Sequence, residues 1–266
     1  MKKRKRYLAL AAVLGASTLF AGCADGGGEK DVLTVGVRDD IMNFGFQNPD
    51  TGRYYGMEID LATEMADRLG YKDIEFVTVD PDNRKEILLN GEADCLVACY
   101  SIAETRLENF DFSPAYYTDV TNVMVEKSTL IESLDEMKNM VIGIMDGSNV
   151  GPLLAQKLYD MGMITDVVVS NTDDGTQYEG MYVKKFPSYA ELSEGLEEGV
   201  VDAACMDGSI ARTFMNDDRK LLDVNVSEQN YGVATQKDSE LSEPVAETIQ
   251  EMLDDGTVET LINKWN

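Results

Sequence analysis

The sequence of 266 residues contains no histidine and is short of basic side chains, with 23 lysines and arginines against 49 aspartates and glutamates. The absence of histidine excludes Ser-His-Asp and Cys-His nucleophile pairs and the ordinary histidine-ligated zinc site. The formal charge of −26 would be repelled by nucleic-acid phosphates, so no nucleic-acid partner is expected. An apolar content of 44% is nevertheless too high for a disordered chain.

The first 22 residues predict a secretory leader. Residues 2–6 are all basic, and residues 7–22 form an apolar stretch that is too short for a comfortable membrane span. The stretch ends in Phe20-Ala21-Gly22-Cys23, which resembles a bacterial lipobox with Phe20 where leucine is usual. This resemblance implies that Cys23 carries acyl chains such as palmitate and begins the mature protein, with residues 23–30 as a flexible tether. An uncleaved anchor helix is the alternative.

The charge of the mature chain bears on how it is held at a membrane. Removal of residues 1–22, which carry five basic and no acidic side chains, leaves a formal charge of −31. Such a surface favours solubility and is repelled by anionic lipid, so attachment depends on the covalent anchor. No later apolar run reaches 18 residues. We therefore expect an exported monomer, lipid-anchored to the extracytoplasmic side of the cell membrane.

From residue 32 onward, apolar runs alternate with amphipathic stretches. Strands are predicted at 32–37, 74–79 and 93–99, with helices at 59–69 and 84–90 between them. The same order recurs with strands at 140–145, 183–186 and 201–205 and helices at 150–159 and 189–196. This alternation predicts two α/β lobes, each a mostly parallel sheet with flanking helices. Residues 162–181 are predicted to be a surface excursion.

Three cysteines follow Cys23. Cys95 and Cys99 fall in one predicted strand, where an i to i+4 separation places them about 13 Å apart. That distance excludes a disulfide between them. With Cys205 they are interpreted as buried free thiols, and neither a metal nor a cofactor is expected.

Open α/β sheets place ligands beyond the carboxyl ends of their strands. That rule selects residues 38–40 and 100–101 of the first lobe and residues 146–149 and 206–207 of the second. Two lobes that each present one such edge form a cleft between them. The cleft is therefore the predicted binding site.

Several motifs in this order resemble the family-3 extracellular solute-binding proteins, the amino-acid receptors of ATP-driven (ABC) importers. They are Gly56-Met57-Glu58-Ile59-Asp60-Leu61-Ala62, Asn90-Gly91-Glu92-Ala93-Asp94, residues 101–106, Asp111-Phe112-Ser113-Pro114-Ala115-Tyr116-Tyr117, Asp146-Gly147-Ser148 and Asp254-Asp255-Gly256-Thr257. The resemblance implies a periplasmic-binding-protein-like fold with lobe one at 31–117 plus 231–266 and lobe two at 121–228. It also implies a hinge of two crossing segments, permease subunits as partners and no catalytic activity.

The resemblance also implies a site for an α-amino acid. Arg106 offers a planar fork to a carboxylate and stands at the position of the family's α-carboxylate arginine. Asp207 matches the acceptor of the ligand ammonium, and it could instead, or as well, cap the helix that follows. Ser101 is expected to contact both ends of the ligand, and Ser148 and Asn149 are expected to offer donors from lobe two. Cys99 stands where the family often has serine or threonine.

Side-chain specificity depends on a few further positions. Ile41 and Pro81 occupy the positions where receptors for basic ligands carry aromatic residues. Arg84 and Arg38 match positions where the branches for acidic amino acids carry basic residues, although both could instead be solvated. Phe44 is expected to wall the pocket or to belong to the core. Glutamate or aspartate is therefore the preferred ligand.

Two alternatives stay open at this stage. One is the same fold binding a neutral amino acid, glutamine or cystine. The other is an enzyme that resembles cyclohexadienyl dehydratase, which would need a carboxylic acid such as Glu58, Glu104 or Asp39 aimed into the cleft.

Overall fold

The computed structural model describes residues 30–265, which form an α/β structure around two large sheets and one small three-stranded sheet. The helices are α1 (Met57–Arg68), α2 (Arg84–Leu89), α3 (Val150–Asp160), α4 (Tyr189–Glu197), α5 (Gly208–Phe214), α6 (Ser242–Asp254) and α7 (Thr257–Trp265). The strands are β1 (Lys30–Val37), β2 (Asp40–Ile41), β3 (Gly45–Gln47), β4 (Tyr54–Tyr55), β5 (Tyr71–Thr78), β6 (Cys95–Val97), β7 (Phe110–Phe112), β8 (Tyr117–Glu126), β9 (Val141–Met145), β10 (Val168–Thr172), β11 (Gly175–Tyr178), β12 (Met181–Phe186), β13 (Ala203–Asp207), β14 (Arg219–Leu221), β15 (Ser227–Tyr231) and β16 (Ala234–Gln236). The leader and Cys23 lie outside the described residues, and so does the tether except for Lys30, which begins β1.

The first sheet has the strand order β5-β1-β6-β16-β7. β1 pairs in parallel with β5 and β6, as expected for strands linked by α1 and α2. Strand β16 enters from the far end of the chain and pairs antiparallel with β6 and β7. Leu33, Val35 and Val37 are fully buried, because helices cover the sheet. We call the chain around this sheet lobe one.

The second sheet has the order β10-β11-β12-β9-β13-β8-β14. Its centre, β12-β9-β13, is parallel, and the remaining pairs are antiparallel. We call the chain around it lobe two. The two-lobed α/β architecture is confirmed, but the sheets are mixed rather than mostly parallel. The reason is that hairpins and returning strands, rather than crossover helices, complete each sheet.

Two strands run between the lobes. β8 and β15 pair antiparallel from Ser227↔Thr121 to Tyr231↔Tyr117. We call residues 117–121 and 227–231 the hinge ribbon. The division into 31–117 plus 231–266 and 121–228 stays a prediction.

Most predicted elements lie within a few residues of the observed ones, with two informative differences. The excursion at 162–181 contains a β-hairpin, β10–β11, that extends the second sheet. The strand expected at 93–99 spans only Cys95–Val97, because Cys99 has a left-handed backbone with φ of 46°. All three described cysteines are buried and unpaired.

The two lobes are packed together across the cleft. Ile41 and Phe44 of lobe one share one hydrophobic cluster with Tyr189, Met206 and Ile210 of lobe two. The structure is therefore a closed arrangement of the lobes. Within residues 30–265, no helix combines the length and apolar character that crossing a membrane requires.

Candidate functional site

A cavity of about 460 Å³ lies between the lobes. It is lined by Pro81, Asp82, Arg84, Lys85, Tyr100, Thr105, Arg106, Asn109, Phe110, Asp146 and Gly147. Asp146 and Gly147 follow β9 of lobe two, and the other residues belong to lobe one. Both sheet edges selected from the sequence therefore reach this cavity, and its volume is ample for a single amino acid.

Arg106 lies at the end of a single 3₁₀ turn at Glu104–Arg106. Its Nη1 donates to the Ser101 carbonyl at 2.7 Å, and its guanidinium lies 4.2 Å from the centre of the Tyr100 ring. Burial and then the neighbouring Arg84 lower the pKa of Arg106 to about 10. A cation in this setting favours the arrival of an anion.

Arg84 begins α2 and is almost completely buried. Its Nη1 donates to the Ala98 carbonyl at 3.1 Å, and its guanidinium lies 4.4 Å from the same Tyr100 ring. Burial and then Arg38 lower the pKa of Arg84. Within the described chain, neither Arg84 nor Arg106 has a carboxylate partner. Tyr100, which lies in the segment 100–101 selected from the sequence, organises both cations.

Arg38 is also buried, but its fork is already occupied. Its Nε and Nη2 donate to the two carboxylate oxygens of Asp40 at 2.9 and 2.7 Å. Its guanidinium lies 5.6 Å from the centre of the Tyr189 ring in lobe two. In this arrangement Arg38 joins the lobes, and it does not line the cavity between them.

Asp207 ends β13 and is buried. Its carboxylate accepts from the hydroxyls of Thr121 at 2.7 Å and Tyr231 at 2.8 Å. Although Asp207 occupies the N-cap position of α5, its side chain makes no capping bond; Asp119 accepts from the Ser209 amide instead. Burial raises the pKa of Asp207 to about 6 against the opposing Thr121 bond, and Asp119 raises it further.

The residues expected to offer further donors, Ser101, Ser148 and Asn149, do not line the 460 Å³ cavity. Ser101 forms an antiparallel bridge with Tyr231. Ser148 donates through Oγ to the Met145 carbonyl at 2.7 Å. Asn149 is the N-cap residue of α3, and its Nδ2 donates to Gln229 Oε1 at 3.4 Å. Asn149 also lines a second cavity of about 300 Å³ beside Thr105 and Gln229.

Cys99 and Phe44 lie behind the cavity. The Cys99 amide donates to Glu58 Oε1 at 2.7 Å, and the Tyr116 hydroxyl donates to the same oxygen at 2.5 Å. Burial raises the pKa of the Cys99 thiol, so it is not a nucleophile. Phe44 packs edge-on against Tyr117 with ring centres 5.0 Å apart. Neither lines the 460 Å³ cavity.

Two carboxylates, Asp82 and Asp146, face the cations at the mouth of the cavity. Burial and then Asp146 raise the pKa of Asp82. Lys185 pairs with Asp146 at 3.1 Å. Cations in the interior and carboxylates at the rim form a charge-separated site, which suits a zwitterion.

The sequence analysis did not propose Asp119, Thr121 or Tyr231 as site residues, and it selected Tyr100 only as part of the segment 100–101. A signal for the hinge residues was present, because Tyr117, Asp119 and Thr121 alternate along a strand and so share one face.

The fold and the cleft agree with the family to which the sequence is similar. Residues 33–266 match the bacterial extracellular solute-binding proteins, family 3, and the chain belongs to this family. The resemblance inferred from the motifs is confirmed. Membership places the chain among exported proteins whose role is to bind a solute.

Individual relatives are similar over most of their length. The ABC transporter glutamine-binding protein GlnH of Bacillus subtilis (strain 168) is 26% identical over 243 residues, 89% of this chain and 82% of that protein. The glutamate-binding protein GluB of Corynebacterium glutamicum is 24% identical over 292 residues, 99% of this chain and 92% of that protein. A solved structure of an ancestral arginine-binding protein bound to arginine has a TM-score of 0.74 and 29% identity, covering 90% of this chain and 99% of that one.

Proposed function

We propose that this protein binds a polar amino acid, with glutamate or aspartate preferred, and delivers it to the permease of an ABC importer. The ligand lies between the two lobes, and the protein performs no chemistry on it. One observation carries the ligand preference. Arg84 and Arg106 bring one buried and one half-buried guanidinium group to one cavity, and both donate only to backbone carbonyls.

The charge of the cavity supports a ligand with two carboxylates. Each of these cations loses hydration on burial. An anion that pairs with the cation compensates for that loss and so lowers the free energy of the site. The α-carboxylate satisfies the fork of Arg106, and a side-chain carboxylate satisfies that of Arg84. Asp207, fixed by Thr121 and Tyr231, accepts from the ammonium.

The remaining predicted contacts complete the proposed site. Ser101 contacts the two backbone groups of the ligand, while Ser148 and Asn149 close over the carboxylate from lobe two. Arg38 holds the closed lobes together through Tyr189. Cys99 and Phe44 form the wall behind these contacts.

A neutral amino acid is the second candidate, since GlnH is a glutamine-binding relative. With glutamine as the ligand, Arg84 would contact an amide and keep an unpaired charge. An enzyme of the dehydratase type receives less support, because Glu58 is fully buried and bonded to Cys99 and Tyr116 instead of facing the cavity.

The proposal includes attachment and assembly. Residues 1–22 direct export, Cys23 carries the acyl anchor, and the mature protein is a monomer with lobes at 31–117 plus 231–266 and at 121–228. Metabolic labelling with palmitate in a bacterial host tests the anchor, with Cys23→Ser as the control that must lose the label.

The ligand is tested by calorimetric titration after unfolding and refolding to strip any bound molecule. The panel is L-glutamate, L-aspartate, L-glutamine, L-cystine and L-arginine. We expect Arg106→Met to weaken every ligand that binds. We expect Arg84→Met to weaken glutamate and aspartate by about 100-fold while changing glutamine little, because a buried charge pair is lost.

Arg53→Met is the matched control, since Arg53 is exposed and stacks only on Tyr55. Preference for a neutral or basic amino acid would overturn the assignment of Arg84. Absence of binding to all five would overturn the proposed function.

A further inference from the structure

The buried face of the hinge ribbon is polar. Asp119, Thr121, Gln229 and Tyr231 alternate with exposed or half-buried neighbours, and each is at most 4% exposed. A face removed from water ordinarily carries apolar side chains, because buried polar groups cost free energy unless they are bonded. Three of these four side chains bond within one cluster around Asp207.

Asp119 has the most contacts of the ribbon residues in this cluster. Its Oδ2 accepts from the Ser209 amide at 2.9 Å and from the Tyr231 hydroxyl at 3.2 Å. Its Oδ1 accepts from the Val120 amide at 2.7 Å. A Cβ at Gly208 would lie 3.1 Å from this Oδ1, so the start of α5 is in close contact with Asp119.

The Tyr231 hydroxyl lies within hydrogen-bond distance of two carboxylates. Its oxygen lies 2.8 Å from Asp207 Oδ2 and 3.2 Å from Asp119 Oδ2. Asp119, Tyr231 and Asp207 all belong to strands of the second sheet.

We propose that Asp119 is a positioning residue for the ammonium end of the ligand site. By accepting from the Ser209 amide it bonds the start of α5, which leaves both oxygens of Asp207 to Thr121, Tyr231 and the ligand. Through the shared Tyr231 hydroxyl it couples the hinge ribbon to that carboxylate. This inference rests on the proposed function.

The charge of Asp119 acts on Asp207 together with several other groups. Burial raises the pKa of Asp207, the Thr121 and Tyr231 bonds lower it, and Asp119 raises it. The titratable or charged groups around Asp207 are Asp119 on β8, Tyr231 on β15, Tyr189 on α4, Arg84 on α2, Arg106, and Cys99 and Cys205. Removing the negative charge of Asp119 must favour ionised Asp207, whereas removing the Tyr231 hydroxyl must disfavour it.

The test compares Asp119→Asn, Tyr231→Phe and the control Glu228→Gln. The control removes one negative charge from the exposed face of the same ribbon. In the ligand-free protein, the side-chain carbon of Asp207 is titrated by NMR. We expect its midpoint to fall by about one pH unit in Asp119→Asn, to rise in Tyr231→Phe, and to stay unchanged in Glu228→Gln.

The same variants are titrated with L-glutamate at pH 8 and pH 5. In the wild type we expect affinity to fall about tenfold over this range, because the Asp207 carboxylate becomes protonated. In Asp119→Asn we expect the fall to be only about twofold, since the midpoint has moved down by about one unit. A merely structural role of Asp119 would not give opposite shifts for the two hinge variants.

Equal midpoints in Asp119→Asn and the wild type, or an equal shift in Glu228→Gln, would overturn the inference. The NMR titration needs no ligand, so it tests the coupling between Asp119 and Asp207 independently of the proposed function. If the wild type binds none of L-glutamate, L-aspartate, L-glutamine, L-cystine and L-arginine, the proposed function fails, and with it the ligand role of Asp119.

Discussion

At the scale of single residues, buried charged side chains determine the electrostatic properties of the cleft. Arg84 has given up its water, and Arg106 part of it, for the face of one aromatic ring and two carbonyl oxygens. Cation–π contacts and neutral acceptors recover only part of the lost hydration. The ligand-free closed state is therefore less stable than the same fold with an anion between the lobes.

Replacing Arg84 by methionine tests this cost directly. We expect Arg84→Met to stabilise the ligand-free protein by about 1 kcal/mol, because a buried charge without a carboxylate partner is removed and its volume is retained. Urea unfolding measures the change, with Arg53→Met as the exposed control. An equal or lower stability of Arg84→Met would show that the buried charge of Arg84 is already compensated by other groups or water in solution.

Asp207 should make stability fall as the pH rises. Its pKa in the folded protein is about 6 against an ordinary value of 3.8, so the folded state holds this proton more tightly than the unfolded chain. Ionisation of Asp207 therefore lowers the free energy of unfolding progressively between about pH 4 and pH 6. The free energy of unfolding of Asp207→Asn, relative to that of the wild type, should therefore rise by about 2 kcal/mol between pH 4.5 and pH 7.

Urea unfolding of both proteins at the two pH values measures this difference. Asp202→Asn is a control on the same lobe, since its half-buried carboxylate accepts from the Val141 amide outside the cleft. A difference between wild type and Asp207→Asn that does not change with pH would contradict the prediction.

At the scale of elements, Glu58 joins three parts of lobe one. It lies in the first turn of α1 and accepts from the Cys99 amide and the Tyr116 hydroxyl through the same oxygen. It therefore fixes the turn that carries Tyr100 and Ser101 against the start of the hinge ribbon. Burial raises the pKa of Glu58, which makes an amide a reasonable replacement for the acid.

Two substitutions at Glu58 should differ sharply. Glu58→Gln keeps an oxygen in the position of Oε1, so we expect a change in unfolding free energy below about 1 kcal/mol. Glu58→Ala leaves a buried amide and a buried hydroxyl without an acceptor, so we expect a loss of about 3 kcal/mol. Denaturant unfolding measures both, and similar losses in the two variants would contradict the assigned role of Oε1.

For the whole molecule, the closed state depends on a close approach between the lobes. Gly147 has a φ of 67°, and a Cβ there would lie 2.7 Å from Asp82 Oδ1 and 2.8 Å from the Pro81 carbonyl. Lobe two can reach this part of lobe one only because position 147 has no side chain. Hinge closure around a ligand is the expected motion of a two-lobed binding protein.

Gly147→Ala should oppose closure. We expect it to weaken L-glutamate binding by about tenfold and to leave the protein more open in small-angle scattering with L-glutamate present. Gly162→Ala is the matched control, since Gly162 has a φ of 68° with no atom within 4 Å of its Cβ position. Both variants should lose similar stability, about 1 kcal/mol. Equal binding by the two variants would contradict the closure argument.

Strand and helix positions were predictable because each depends on a local pattern. Apolar periodicity located α1 over Met57–Arg68 and β9 over Val141–Met145 to within a few residues. The recurrence of that pattern predicted two lobes, and the motifs around residues 56–62 and 101–106 predicted the family. Periodicity could not distinguish parallel from antiparallel neighbours, because a strand's own sequence does not record which partner returns beside it.

The sequence by itself determined two α/β lobes, the family and a cleft between the lobes, since each follows from residue type and order, and the family resemblance pointed to Arg84 and Arg106 beside that cleft. Only the tertiary structure decided that Tyr100 lies against both cations, that Arg38 is bound to Asp40, and that Asp119 rather than Asp207 bonds the Ser209 amide of α5. Some of these contacts join residues far apart in the chain, and others depend on which of several competing partners a side chain or amide bonds. Their outcome depends on burial and on distances that exist only after the lobes have packed.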